Sequence, residues 1–443
     1  MLARLTMVWV KVRDSLWFLP GVLTLAAAGI AVALTEAERG GDLLPELGPS
    51  WIFAGRAEGA RGVLSAIAGG LITVTGVVFS VTIVALQLAS SQFTPRVLRN
   101  FTADRANQLV LGVFIGTFAY TILVLRTIYG GADGEEGFVP RVAVTGAVLL
   151  VMVSIGCLIF FISHAARSIQ VSAILDRVAM ETLRDVQRLF PDQVGHADEV
   201  EVPDPRPPEH DSAPVTAAES GYLQAVDSAA LFQLGERGGR VIAMVPQMGD
   251  FVVAGEALAS VAPPEAVDDE LVAGVRTAFV LGPERTPEQD VEFGIIEISD
   301  IAVKALSPGI NDPTTAMHCI DRLGEILLAF GARRPPRARR TEHGVVHFIA
   351  RYTTFERALG LAFDQIAHFG ASNPAIPKRL LNVLGKLEAL LPERHHGTVR
   401  AQVDAVLRLS RGALDDPAHA AAVERAAGPA QRAEGADLAP RGD

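Results

Sequence analysis

The pattern of apolar and polar positions divides the chain in two. Up to about residue 165, long apolar runs alternate with short polar segments. Beyond it, apolar positions recur at the spacings of amphipathic helices and short strands. Four runs, 16–35, 62–89, 109–128 and 142–162, are long enough to cross a ~30 Å hydrocarbon core at about 1.5 Å per residue. The first follows a start carrying Arg4, Lys11 and Arg13, with Trp9 and Trp17 at interfacial depth. It is long for a signal-peptide core and reads as an uncleaved helix. The second is longer than a bilayer requires, and Pro95 ends or kinks it. The third carries Gly112 and Gly116 at a spacing that lets helices approach closely.

The second run is the unusual one. At 100° per residue, Gly69, Thr73, Gly76, Ser80, Gln87, Ser91 and Thr94 fall within roughly 60° of one another. One face of this helix is therefore small and polar along its length. Lipid offers such groups no partner, so the face is expected against water, as a pore lining, or against another helix. No Asp, Glu, Lys or Arg lies at depth in the four runs, which disfavours a proton-coupled carrier. Arg96, Arg99 and Arg105 follow the stripe. They would gather at a cytoplasmic mouth or contact acidic lipid head groups.

The fold class expected is a four-helix membrane domain, 1–165, with a cytoplasmic α+β region that holds a small β subdomain and C-terminal helices. A helical extension over 166–190 leads to an acidic, proline-rich linker at 191–220. The α+β region occupies 221–411, and 412–443 reads as a disordered tail. An even number of spans puts both termini on one side. Basic residues in the N-terminal segment, in 93–108 and at Arg167, Arg177, Arg184 and Arg188 assign that side to the cytoplasm.

Within the α+β region, YLQAV, RVIAMV, FVVAG and ALASV read as short strands between glycine-containing turns, with further strands at 277–282 and 344–351. Thr286-Pro287 with Gln289 reads as a helix start with a capping box, running to about 306. Asp312-Pro313 and Thr354 open two more helices, and others follow near 376–391 and 397–411. The phrase GDFVVAGEALASV resembles the turn of biotinyl- and lipoyl-type β folds. Pro246-Gln247-Met248 stands where those folds carry a lysine, so no carrier role follows.

Composition adds exclusions. A net charge of -11 lacks the basic face that nucleic acid calls for. Two cysteines, Cys157 and Cys319, build neither a disulfide framework nor a zinc site. His318, Asp321 and Glu325 share a helix face at i, i+3 and i+7, the one weak polar cluster with a ligand-like pattern. A solvated helix face uses the same residues. No nucleophile elbow, phosphate loop or dinucleotide fingerprint is present, and neither an enzyme, a metal nor a cofactor is expected.

Four stretches carry a family likeness. They are ITVTGVVFSVTIVALQLASSQFTPRVLRNF at 72–101, LVLGVFIGTFAYTILVLRT in the third run, HAARSIQVSAILDRV at 164–178 and DIAVKALSPGINDPTTA at 300–316. They resemble the bacterial predicted membrane proteins grouped as domain of unknown function 2254. The resemblance covers nearly the whole chain apart from linker and tail. It implies a multi-spanning inner-membrane protein with a soluble C-terminal region and brings no activity or catalytic residue with it. The functional expectation is a homo-oligomeric channel or passive pore for an ion or small solute, lined by the second run and modulated by the cytoplasmic region. The alternative is a non-conducting scaffold or sensor whose stripe only packs helices.

Overall fold

A computed structural model describes residues 15–40, 53, 55–92, 104–130, 137–168, 170–190, 211–336, 338–343 and 345–428. They form two compact units, one ending at Gln170 and one beginning at Val171.

The first unit is helical. Its helices are α1 (Phe18–Arg39), α2 (Ala57–Gln92), α3 (Arg105–Thr127) and α4 (Arg141–Ser168). All four have a stretch long and apolar enough to cross a membrane. Helix α3 is the buried centre, with Val110, Phe114, Tyr120 and Val124 at 1% exposure or less. Its two glycines make room for α1. A Cβ at Gly112 would lie 2.6 Å from Leu23 Cδ1, and one at Gly116 would lie 3.3 Å from the Leu23 carbonyl oxygen. The close contact expected from their spacing is thus made inside the chain. Polar groups tie the helix ends together. Glu38 accepts the Ala143 N–H at 2.8 Å, satisfying an otherwise orphaned donor of α4. Arg61 donates to the Ile128 carbonyl at 2.7 Å, and Tyr120 to that of Ala143 at 2.9 Å.

The second unit mixes helices and sheets. It opens with α5 (Val171–Leu189), followed by β1 (Ala213–Thr216), β2 (Gly221–Val226), α6 (Ser228–Arg237), β3 (Val241–Met244), β4 (Phe251–Val252) and β5 (Ala257–Ala262). Then come α7 (Asp269–Ala278), β6 (Phe279–Gly282), α8 (Val291–Ala305), α9 (Pro313–Gly331), β7 (Arg339–Glu342) and β8 (Val345–Ile349). Helices α10 (Phe355–Gly370), α11 (Ala375–Leu390), α12 (His396–Ala413) and α13 (Pro417–Ala426) complete it. One sheet has the order β1-β5-β3-β8-β7 and the other β4-β2-β6. Among the described strands, only the β3–β8 pair is parallel. Leu231 of α6, Leu271 and Val275 of α7, and the strand residues Ile242, Leu258, Val261 and Phe348 fill the space between helices and sheet. Helices α5, α9 and α10 pack on α8, whose Ile295, Ile298 and Ala302 are fully buried, and α11 packs on α9 and α10. A Cβ at Gly294 would fall on Thr182 Oγ1, so this glycine lets α5 lie against α8.

Four expectations change. The helix expected to continue out of the fourth span is instead a separate element, α5. It buries Ile174, Leu175, Val178 and Val186 and packs against α8 and α9. The helix expected from Thr286 starts at Val291 instead. Gln289 accepts the Val226 N–H on its side-chain oxygen at 3.1 Å rather than closing a capping box. Strand β1 occupies part of the expected linker, and α13, capped by Asp416, stands in the expected disordered tail. Asp312 and Thr354 cap α9 and α10 as their sequences predict, accepting from Thr315 N and Arg357 N.

Candidate functional site

Helix α2 turns Ala60, Leu64, Ala68, Leu71 and Val78 into its own bundle, all at 6% exposure or less. At 100° per residue the polar stripe lies about 180° from that packing face. Gly69, Thr73, Gly76, Ser80 and Gln87 are accordingly exposed. Exposed Ile72, Val77, Ile83 and Val84 border them on both sides. A Cβ at Gly69 or Gly76 would meet nothing within 4 Å. The small residues of the stripe therefore do not serve packing within the chain, unlike Gly112 and Gly116. The Thr73 hydroxyl donates to the Gly69 carbonyl of its own helix at 3.0 Å. The Ser91 side chain, and Thr94, Arg96 and Arg99, lie outside the described residues.

Arg105 is exposed at the first position of α3. Beside it the structure builds a polar junction that the sequence did not single out. Asp104 caps α3 through Ala106 N at 2.9 Å. Its other oxygen meets His164 Nε2 of α4 at 2.7 Å. The His164 ring stacks on Phe160, centroids 5.5 Å apart. Capping signals are legible locally, but the histidine is 60 residues away.

His318, Asp321 and Glu325 do share α9, but arginines take both carboxylates. Arg379 holds Asp321 through two donors, one at 2.6 Å. Arg322 bridges Glu325 at 2.8 Å and Asp176 of α5 at 2.6 Å. Among the described residues no group of three or more His, Cys, Asp or Glu side chains has the arrangement of a metal site. His395 and His396 cap backbone carbonyls, those of Gly331 and Leu391, at 3.1 and 3.0 Å. Burial pushes the Cys319 thiol up to about 12, leaving it un-ionised.

The densest polar arrangement lies where the strands meet the helices of the second unit. Glu292, in the first turn of α8 and 1% exposed, is its centre. One carboxylate oxygen accepts from Gln247 Nε2 at 3.0 Å, from Arg357 Nε at 2.7 Å and from the Thr353 hydroxyl. The other accepts from Arg357 at 3.1 Å and Arg285 at 3.3 Å. Arg285 also holds Asp290 at 2.6 Å, and Arg357 reaches Asp250 at 3.2 Å. Gly249, with φ +81°, is required twice over: a Cβ there would be strained and would lie 2.3 Å from Arg285 Nη2. Burial pushes the Asp290 carboxyl up to about 6 against the pull of Arg285. The hydrogen bonds that Arg357 donates to Glu292 raise its guanidinium further. These groups are turned on one another, so the network joins the strand half to the helical half.

The similarities to known proteins follow this architecture. The family model described as predicted membrane protein, domain of unknown function 2254, matches residues 13–386. Uncharacterized proteins of Mycobacterium bovis and of two strains of Mycobacterium tuberculosis are each 35% identical over 424 residues, 94% of this chain and 80% of theirs. No solved structure matches. With a family match over residues 13–386 and four helices long and apolar enough to cross a membrane, the chain belongs to this family of predicted membrane proteins.

Proposed function

We propose that the protein is an oligomeric channel or passive pore in the bacterial inner membrane, lined by α2 and modulated by the second unit. The observation that carries this reading is the exposure of Gly69, Thr73, Gly76, Ser80 and Gln87 directly opposite the face α2 buries in its own bundle. A polar face held out of the chain's own packing finds partners only if another copy, or water enclosed by several copies, covers it. The transported species is an ion or small solute. Both termini are placed in the cytoplasm, with Arg105, Arg96 and Arg99 at the mouth. In proteoliposomes, Ser80→Leu and Gln87→Leu are expected to reduce ion flux by about tenfold or more, while Leu64→Ile, on the packing face, leaves flux near the parent value. Absence of flux in the parent protein under varied voltage and membrane tension overturns the reading.

One observation favours a second reading, a non-conducting scaffold or sensor. The Thr73 hydroxyl is already bonded to its own helix, so it can pack dry against a second copy. Cysteines at positions 73, 80 and 87 separate the two: prompt reaction with a water-soluble thiol reagent supports the pore, and protection supports the scaffold.

A further inference from the structure

Several arginines of the second unit are matched to acids. Arg240, Arg285, Arg322, Arg357, Arg379 and Arg400 each reach a carboxylate within 4 Å. The segment between α9 and β8 gathers three arginines that are not. Arg334, Arg339 and Arg340 are exposed, and among the described residues none of them meets a carboxylate. Arg340 contacts only a ring face, 5.9 Å from the centroid of Phe348. The last two belong to β7, which is the outer strand of the five-stranded sheet and is paired on one side only, with β8. An open backbone edge thus carries three arginines free of a carboxylate, with Glu342 at the far end of the strand turned to Glu236, in a chain of net charge -11.

The complement lies in the same chain. Residues 191–210, outside the described residues, hold Asp192, Asp198, Glu199, Glu201, Asp204 and Glu209 against a single Arg206. Within them Glu199-Val200-Glu201-Val202 alternates acidic and β-branched positions, a pattern suited to an extended strand. The attachment points fit as well. The segment departs from Phe190, whose ring packs edge-on against Phe330, centroids 4.8 Å apart. Phe330 is only four residues before Arg334. Eight residues from Phe190 bring Asp198 anywhere within about 27 Å. The segment rejoins the fold just before β1, at the opposite edge of the same sheet. Four strand spacings make that crossing about 19 Å, and the seven residues from Asp204 to Asp211 span up to about 23 Å.

We propose that the outer edge of β7, with Arg334, Arg339 and Arg340, is the docking surface for this chain's own acidic segment 198–204. Tethering at both ends makes the encounter intramolecular, with an effective concentration in the millimolar range. Opposite charges on facing strands then favour the pairing. The plain competing account is that arginines on an edge strand merely keep it from pairing with other molecules.

Hydrogen exchange of the full chain in neutral phosphatidylcholine nanodiscs distinguishes them. Amides of Arg339–Glu342 are expected to exchange about tenfold faster when Asp198→Asn, Glu199→Gln, Glu201→Gln and Asp204→Asn are combined, and also on raising salt from about 0.02 M to about 0.5 M. Arg339→Glu with Arg340→Glu is expected to give the same loss. Adding lysine at positions 198, 199, 201 and 204 to that double variant is expected to restore protection. Exchange that does not respond to neutralising the segment overturns the proposal. So does protection that depends on protein concentration, which assigns the edge to a second copy. Protection that arises only when phosphatidylglycerol is added to the nanodisc overturns it too, assigning the edge to lipid.

Discussion

Glu292 is the residue on which most of the second unit's buried polarity converges. Its carboxylate sits between two guanidiniums and two neutral donors at 1% exposure. Removing one member of a buried pair leaves the other desolvated and unmatched, at a cost of about 3–5 kcal/mol. Arg285 and Arg357 keep Asp290 and Asp250 as partial replacements, so Glu292→Gln is expected to cost about 3 kcal/mol, at the lower end of that range. Native-state hydrogen exchange of α8 measures this directly. Asp290 has the opposite pH behaviour from most paired carboxylates. Its folded value, about 6, is above the ordinary aspartate value of 3.8. Its contribution is therefore fully favourable below about pH 3.8 and is lost as pH rises through 6. The rise from 3.8 to about 6 corresponds to at most about 3 kcal/mol. Local stability of the Arg285–Glu292 turn should thus rise as pH is lowered from 7 towards 5, and Asp290→Asn should flatten that slope. An equal slope in parent and variant would assign the effect to another group.

At the scale of elements, glycines with the same sequence appearance do different work. A Cβ at Gly112 meets Leu23 Cδ1 at 2.6 Å and the Pro20 Cα at 3.1 Å, whereas one at Gly69 or Gly76 meets nothing. Gly112→Val should therefore push α1 off α3 and cost about 1–3 kcal/mol, the usual range for overpacking. Gly76→Val should leave the stability of the isolated chain nearly unchanged. Thermal melts of both variants in detergent, well below the concentration at which copies associate, provide the comparison. The contrast also marks the limit of what the sequence makes legible. Apolar runs, the caps at Asp312 and Thr354 and the strands from Tyr222 to Val261 are local signals, and each is present in the fold. The start of α8 is misread because Gln289 is taken by Val226, 63 positions earlier. The Glu292 network is invisible for the same reason, since Arg357 reaches back 107 positions to Asp250. Periodicity tells which face of α2 is polar. Only the packed bundle shows that this face is turned away from the chain's own helices.

At the scale of the whole molecule, the two units differ in what solvent they require. Among the described residues, one buried cluster holds Ala31, Leu64 and Tyr120 of the first unit and another holds Leu231, Ile242 and Phe348 of the second. The first unit turns Leu25, Ile30, Ile72, Met152 and Ile159 outward, a surface that only lipid or another apolar partner covers. The second unit has its own sheets, its own helical core on α8, and charged outer faces laced by pairs such as Arg379–Asp321 and Arg400–Glu388. Helix α5 belongs energetically to this unit, because its buried face packs on α8 and α9. A fragment beginning at Val171 should consequently be soluble, fold cooperatively and retain the Arg322–Asp176 pair. A fragment beginning at Ser212 should expose Phe330, Ile298 and their neighbours where α5 and Phe190 had covered them, and lose stability or aggregate. Circular dichroism melts of the two fragments check this. If the shorter fragment melts as cooperatively and at as high a temperature as the longer one, α5 is not part of that core.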